Sequence, residues 1–130
     1  MENIELNSPE LYLNRELSLL EFNWRVLAQA LDTDVPLLER LNYLCISSTN
    51  LDEFFEVRVA GLVQQIEIGD PYIEADQVSA HETLRLISVR AHELVEEQYR
   101  VLNEVLLPAL AEESIETLPR ASWTDEQSEW

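Results

Sequence analysis

A chain of 130 residues with 46% apolar side chains can bury one substantial core, which argues against a disordered chain and makes one compact domain with a tail the expectation. Its 26 acidic residues face 8 basic ones, all arginine, and a formal charge of −18 repels nucleic acid, anionic lipid and naked phosphate chains. The lone Cys45 excludes an internal disulfide, no Cys/His spacing suits zinc, and no apolar run is long enough to span a membrane or form a signal peptide, so a cytoplasmic protein is the default expectation.

Residues 1–13 read as mixed and extended, with Leu11, Tyr12 and Leu13 placed to pack on a neighbour. Ser18-Leu19-Leu20-Glu21 is a capping-box pattern, and behind it Leu20, Trp24, Leu27 and Leu31 hold helical spacing beside a second stripe of Phe22, Val26 and Ala30. A first helix is therefore expected over 18–31. The stretch Asp32 to Pro36 breaks it, and Pro36 fits only in the first turn of a second helix. Leu37, Leu38, Leu41, Leu44 and Cys45 predict that this second helix is short and stops at Ser47 and Ser48, with Cys45 buried as a small hydrophobe.

A third helix is expected over about 50–68. Thr49 is placed as its N-cap, Asp52 completes a box-like arrangement, and Leu51, Phe55, Leu62 and Ile66 recur at helical spacing with Phe54 alongside. Gly69-Asp70-Pro71 should end it, followed by a loop over 70–78. Ser79-Ala80-His81-Glu82 then opens a long fourth helix, with Leu84, Ile87, Ala91, Leu94, Val101 and Val105 on one stripe and Val95, Tyr99, Leu102 and Leu106 on the next. It can reach Glu113, with Pro108 as a kink or end point. The reading is an all-α fold, a small bundle of about four helices with the last one long. Residues 1–114 form the domain, and 115–130, where Thr124-Asp125-Glu126-Gln127 starts a new helix, read as a linker or the truncated start of a next unit in a longer polypeptide.

No catalytic constellation emerges. The two glycines are isolated and no lysine exists to meet a γ-phosphate, so a phosphate-binding loop is excluded. His81 and His92 lie roughly 16 Å apart along one helix at 1.5 Å per residue and cannot share a metal or a proton. Val78 and Val89, three before each, exclude the Glu-x-x-His pattern of helical carboxylate metal sites. Asp52, Glu53 and Glu56 read as a solvated helix start rather than a cation site, and Trp24, Phe54 and Phe55 as core. No catalytic and no metal-ligating residue is expected.

One resemblance adds to this. LYLNRELSLLEFNWRVLAQA followed by PLLERLNYLCISSTNLDEFFEVRVAGL strongly resembles the N-terminal domain of the long polyphosphate kinases, whose first segment reads like RELSWLEFN and whose next signature reads like S-N-L-D-E-F-F. The match is close over residues 11–62 and extends to 113 in helical character alone. Leu19 stands where that family usually has tryptophan, which implies a slightly different core, and Thr49 precedes the asparagine where a small or amide residue is common.

The resemblance implies an enzyme that moves the terminal phosphate of ATP onto polyphosphate, reversibly, with magnesium and a phosphohistidine intermediate. The histidine and the phosphate-binding arginines of that family lie in later domains, so the fragment is not catalytic by itself. The implied partners are those remaining domains, ATP or ADP and polyphosphate, and a homo-oligomer of the full-length enzyme, which is cytoplasmic or membrane-associated. The family's N-terminal domain covers the nucleotide, and the asparagine before L-D-E-F contacts ATP; that position here is Asn50. Two other classes stay open: a partner-docking or oligomerisation module using helix four with Trp123 and Trp130, and an acidic structural cap on a neighbouring domain.

Overall fold

The computed structural model describes residues 14–68 and 80–130, and all regular structure among them is helical. Helix α1 spans Arg15–Leu31 and α2 spans Leu37–Glu53. A wide π-turn, Phe54–Val59, leads directly into α3, Ala60–Ile68. Helix α4, Ala80–Arg100, passes through a second π-turn, Val101–Leu106, into α5, Leu107–Glu112. A single 3₁₀ turn at Arg120–Ser122 and the short α6, Asp125–Ser128, complete the described chain. The all-α bundle expected from the periodicity is the fold.

Two boundaries differ from the sequence reading. Asn14, not Ser18, caps α1: its Oδ1 accepts from the Leu17 N–H at 3.1 Å, and Ser18 lies inside the first turn, donating its own N–H to the Asn14 carbonyl. Glu21, freed from any capping role, pairs with Arg90 on α4. The break expected at Ser47-Ser48 is also absent, because α2 runs through it. Ser47 is fully buried, and Thr49 bends its hydroxyl back to donate to the Cys45 carbonyl at 3.0 Å instead of capping a new helix. The expected helix end at Gly69, the 70–78 loop, the Ser79 cap and the packing of Leu11, Tyr12 and Leu13 lie outside the described residues.

The core follows helical spacing with a different phase on each rod. On α1 it is Leu20, Asn23, Leu27 and Ala30; on α2, Arg40, Leu44, Ser47 and Leu51; on α4, Thr83, Ile87, Ala91, Leu94 and Gln98. Val101, Leu106 and Leu110 continue it, while Trp24, Leu37, Leu41 and Leu102 seal its edges. Cys45 is exposed, a correction to the expectation of burial: it sits one residue round the helix from Leu44 and so turns off the core-facing line. Phe22 and Phe55 are exposed as well, so of the Phe54-Phe55 pair only Phe54 enters the core.

Polar contacts fix how the rods sit. Asn23 Nδ2 donates to the Ser47 carbonyl at 2.9 Å and Gln98 Nε2 donates to Ser47 Oγ at 3.0 Å, a buried chain joining α1, α2 and α4. Arg40 Nε donates to the Ala30 carbonyl at 2.8 Å and closes the C-terminal end of α1 from α2. On the surface Arg90 grips Glu21 with both Nε and Nη2, at 2.6 and 3.1 Å, and lies over the Trp24 ring at 4.2 Å.

Candidate nucleotide-facing groove

Between α1 and the α2 rod with its π-turn lies a groove of about 370 Å³, inside the ~300–1,000 Å³ range of small-molecule sites, and no α4 residue lines it. Leu19, Leu20, Phe22 and Asn23 line it from α1. Asn50 and Glu53 line it from α2, and Phe54, Val57 and Arg58 from the π-turn. The α2-side positions recur at three- and four-residue steps, which is why they share one face.

Asn50 is half-buried on this face, and among the described residues its side chain has no hydrogen-bond partner. Its backbone carbonyl accepts from the Phe54 N–H, so it is an interior helical residue. The expectation that Thr49 caps a new helix just before Asn50 is thus corrected, and the Asn50 amide is not used for capping. An amide offers a donor and an acceptor, the pair that matches the amino group and adjacent ring nitrogen of adenine.

Asn23 shares the groove and was missed by sequence reasoning. Its Nδ2 is tied to Ser47, and its Oδ1 is buried with no partner among the described residues. Such an orphan acceptor costs free energy unless something in the groove donates to it. The signal was available: a polar residue standing between Leu20 and Leu27 on an otherwise apolar stripe. Arg58, the groove's cation, was missed too. Leu19, exposed at the groove mouth, affects this wall rather than the core, which corrects the inference drawn from its departure.

The other sequence candidates do not converge. His81 and His92 are exposed on α4, and the His92 ring Nδ1 sits 2.6 Å from the Ser88 carbonyl. Asp52 and Glu56 are exposed. No three His, Cys, Asp or Glu side chains among the described residues are placed to hold a metal ion, so the magnesium implied by the resemblance finds no ligand set there. No helix among the described residues is long and apolar enough to cross a membrane.

Known proteins share this sequence over most of its length. The family model described as the polyphosphate kinase N-terminal domain matches residues 12–118. A polyphosphate kinase of Pseudomonas aeruginosa strain PAO1 is 50% identical over 125 residues, covering 96% of this chain and 18% of that protein. One from Burkholderia cenocepacia strain HI2424 is 53% identical over 118 residues, covering 91% and 17%. One from Pseudomonas putida strain KT2440 is 50% identical over 125 residues, covering 96% and 17%. The chain thus spans less than a fifth of the length of these curated relatives. No solved structure matches it. With the family model covering most of its length, the chain belongs to the polyphosphate kinase N-terminal domain family.

Proposed function

We propose that this domain forms the wall over the adenine end of the nucleotide in a polyphosphate kinase, an enzyme that transfers the terminal phosphate of ATP to polyphosphate, and that Asn50 is its contact to the base or sugar. The observation that carries the reading is the Asn50 amide, half-buried, uncommitted among the described residues and lining an open groove with apolar walls. The charge distribution supports the orientation. A surface at −18 disfavours the triphosphate as a whole and leaves its terminal phosphates to basic groups of the remaining domains, while the neutral base carries no such penalty. ATP or ADP, polyphosphate and magnesium are accordingly substrates and cofactor of the whole enzyme, in which the copies associate in the cytoplasm.

A second reading, docking onto the remaining domains or another subunit, is favoured by a different observation. Residues 111–130 are all exposed, with Ile115, Leu118, Trp123 and Trp130 offering apolar surface. The two readings are compatible, since the groove and the tail are separate surfaces. The domain proper is taken to end near 114, with the segment beyond belonging to a linker or neighbouring unit.

The test is Asn50→Ala in the full-length enzyme. ATP use should weaken by roughly 1–2 kcal/mol, the scale of one lost hydrogen bond with its partner left unsatisfied. Melting temperature should hold, because Asn50 caps nothing. A variant that loses stability at unchanged ATP kinetics would make Asn50 a purely structural residue.

A further inference from the structure

Arg85, Arg90 and Arg100 each hold a glutamate at 2.6 Å, and Arg40 is bound to the Ala30 carbonyl. Arg58 lies on the groove, yet among the described residues it has no ion-pair partner. Arg15, Arg25 and Arg120 also form no ion pair among the described residues, but they are exposed, whereas Arg58 is half-buried. Twenty-six acidic residues were available to pair it. A guanidinium partly withdrawn from water and left without an anion is a binding element for one.

Its angle relative to Asn50 is narrowed by the π-turn. In an unbroken α-helix, position 58 would lie roughly 80° round from position 50 at 100° per residue. The wider turn over Phe54–Val59 advances by a smaller angle per residue and so reduces that offset, and both residues line one groove. The two lie about 12 Å apart or slightly less along the helix axis at 1.5 Å per residue. That separation, with the reach of the arginine side chain, is of the order of the span from the edge of a nucleobase to the first phosphate. Glu53 lies between them on the same groove and repels phosphate from the Asn50 end, which leaves one favourable direction for an anionic ligand.

We infer that Arg58 contacts the first phosphate of a nucleotide whose base lies against Asn50, so that this groove takes nucleotides in preference to nucleosides. The inference rests on the nucleotide-wall reading and adds to it a second contact with a different chemistry.

The experiment measures equilibrium binding of adenosine, AMP and ADP, without metal, to full-length enzyme carrying Arg58→Gln, Arg58→Lys or Asn50→Ala. Arg58→Gln should weaken AMP and ADP by roughly fivefold to tenfold, the scale of one partly exposed charge-assisted hydrogen bond, and leave adenosine unchanged. Arg58→Lys should recover part of that loss, and added salt should shrink the difference. If Arg58→Gln lowers the melting temperature sharply, Arg58→Lys, which keeps stem and charge, carries the comparison: weaker AMP at unchanged adenosine supports the contact. Equal loss for all three ligands, or unaltered AMP binding, overturns it. The two readings separate cleanly. Loss in Asn50→Ala with none in Arg58→Gln rejects only the phosphate contact, and an AMP-selective loss in Arg58→Gln with none in Asn50→Ala rejects only the base contact.

Discussion

Replacing Arg40 tests how the C-terminal end of α1 is held against α2. The last turn of α1 carries no basic residue of its own, and its final carbonyls need donors. Arg40 reaches across from α2 and donates Nε to the Ala30 carbonyl at 2.8 Å, in a site where Arg40 is 9% exposed and Ala30 is 0% exposed. Arg40→Met keeps the apolar stem and removes the guanidinium. The lost charge-assisted bond is worth about 1.5–3 kcal/mol, and the carbonyl left without this donor belongs to the same loss rather than adding to it. Removing positive charge from the negative end of the α1 dipole costs about 0.3–1 kcal/mol more, while relief of burying a charge offsets part of the total. The expected net loss is about 1.5–3 kcal/mol, or roughly 5–15 °C in melting temperature for a domain of this size. Thermal and urea unfolding followed by circular dichroism reads it directly. Arg40→Lys should fall between, since an ammonium cannot reproduce the Nε geometry. A methionine variant as stable as the parent would show that burying the guanidinium costs as much as its bond returns, and that the Arg40 bridge contributes nothing to α1–α2 docking.

Two further outcomes concern stability. The Arg90 hydrogen bond holds the Glu21 carboxyl below its ordinary value of 4.5, so this bridge contributes above the unfolded carboxylate range and is lost as pH falls through the lowered folded value. Glu21→Gln should cost about 0.5–1 kcal/mol near neutrality and converge with the parent in acid; a constant gap down to low pH in urea unfolding would contradict the linkage. Ser114 holds φ at 63° just past α5, where its N–H donates to the Ala111 carbonyl and that of Ile115 to Leu110, a Schellman-type end. Ser114→Gly should raise stability by roughly 0.5–1 kcal/mol in the same assay, and a loss would mean that the serine side chain itself holds the turn.

The existence and register of the helices were legible because burial imposes a period. Ile87, Ala91, Leu94 and Val101, assigned to one stripe from spacing alone, are all buried. The helix expected to start at Thr124-Asp125-Glu126-Gln127 is also present, as α6, and the structure shows that Thr124 and Gln127 close a reciprocal capping box at its start. Boundaries were less legible, because Ser, Thr and Asn serve equally as caps and as interior helical residues once tertiary contacts commit them. Ser47 is held inside α2 by Asn23 and Gln98, partners 24 and 51 residues away in sequence. No local pattern carries that information. Asn50 was legible as a candidate through the resemblance and Asn23 only as a polar residue on an apolar stripe, whereas the groove that joins them with Arg58 arises from the packing of α1 beside α2.

Both π-turns are invisible to a search at 100° per residue, yet they have a common effect on which residues face which way. In the second, Pro108 lacks an N–H and its ring would press on the Glu104 carbonyl in a regular α-helix. A wide turn over Val101–Leu106 relocates that carbonyl, so the rod continues to Glu112 where a simple helix would have kinked or ended. The core records the change in phase: Val101 is followed by Leu106, five residues on, and then by Leu110, while Val105, assigned to the stripe by regular spacing, is only half-buried. The first π-turn contains no proline, and it runs along the groove, where Phe54, Val57 and Arg58 line the same wall as Asn50. One backbone device thus preserves a sealed core on one rod and lines a groove on the other.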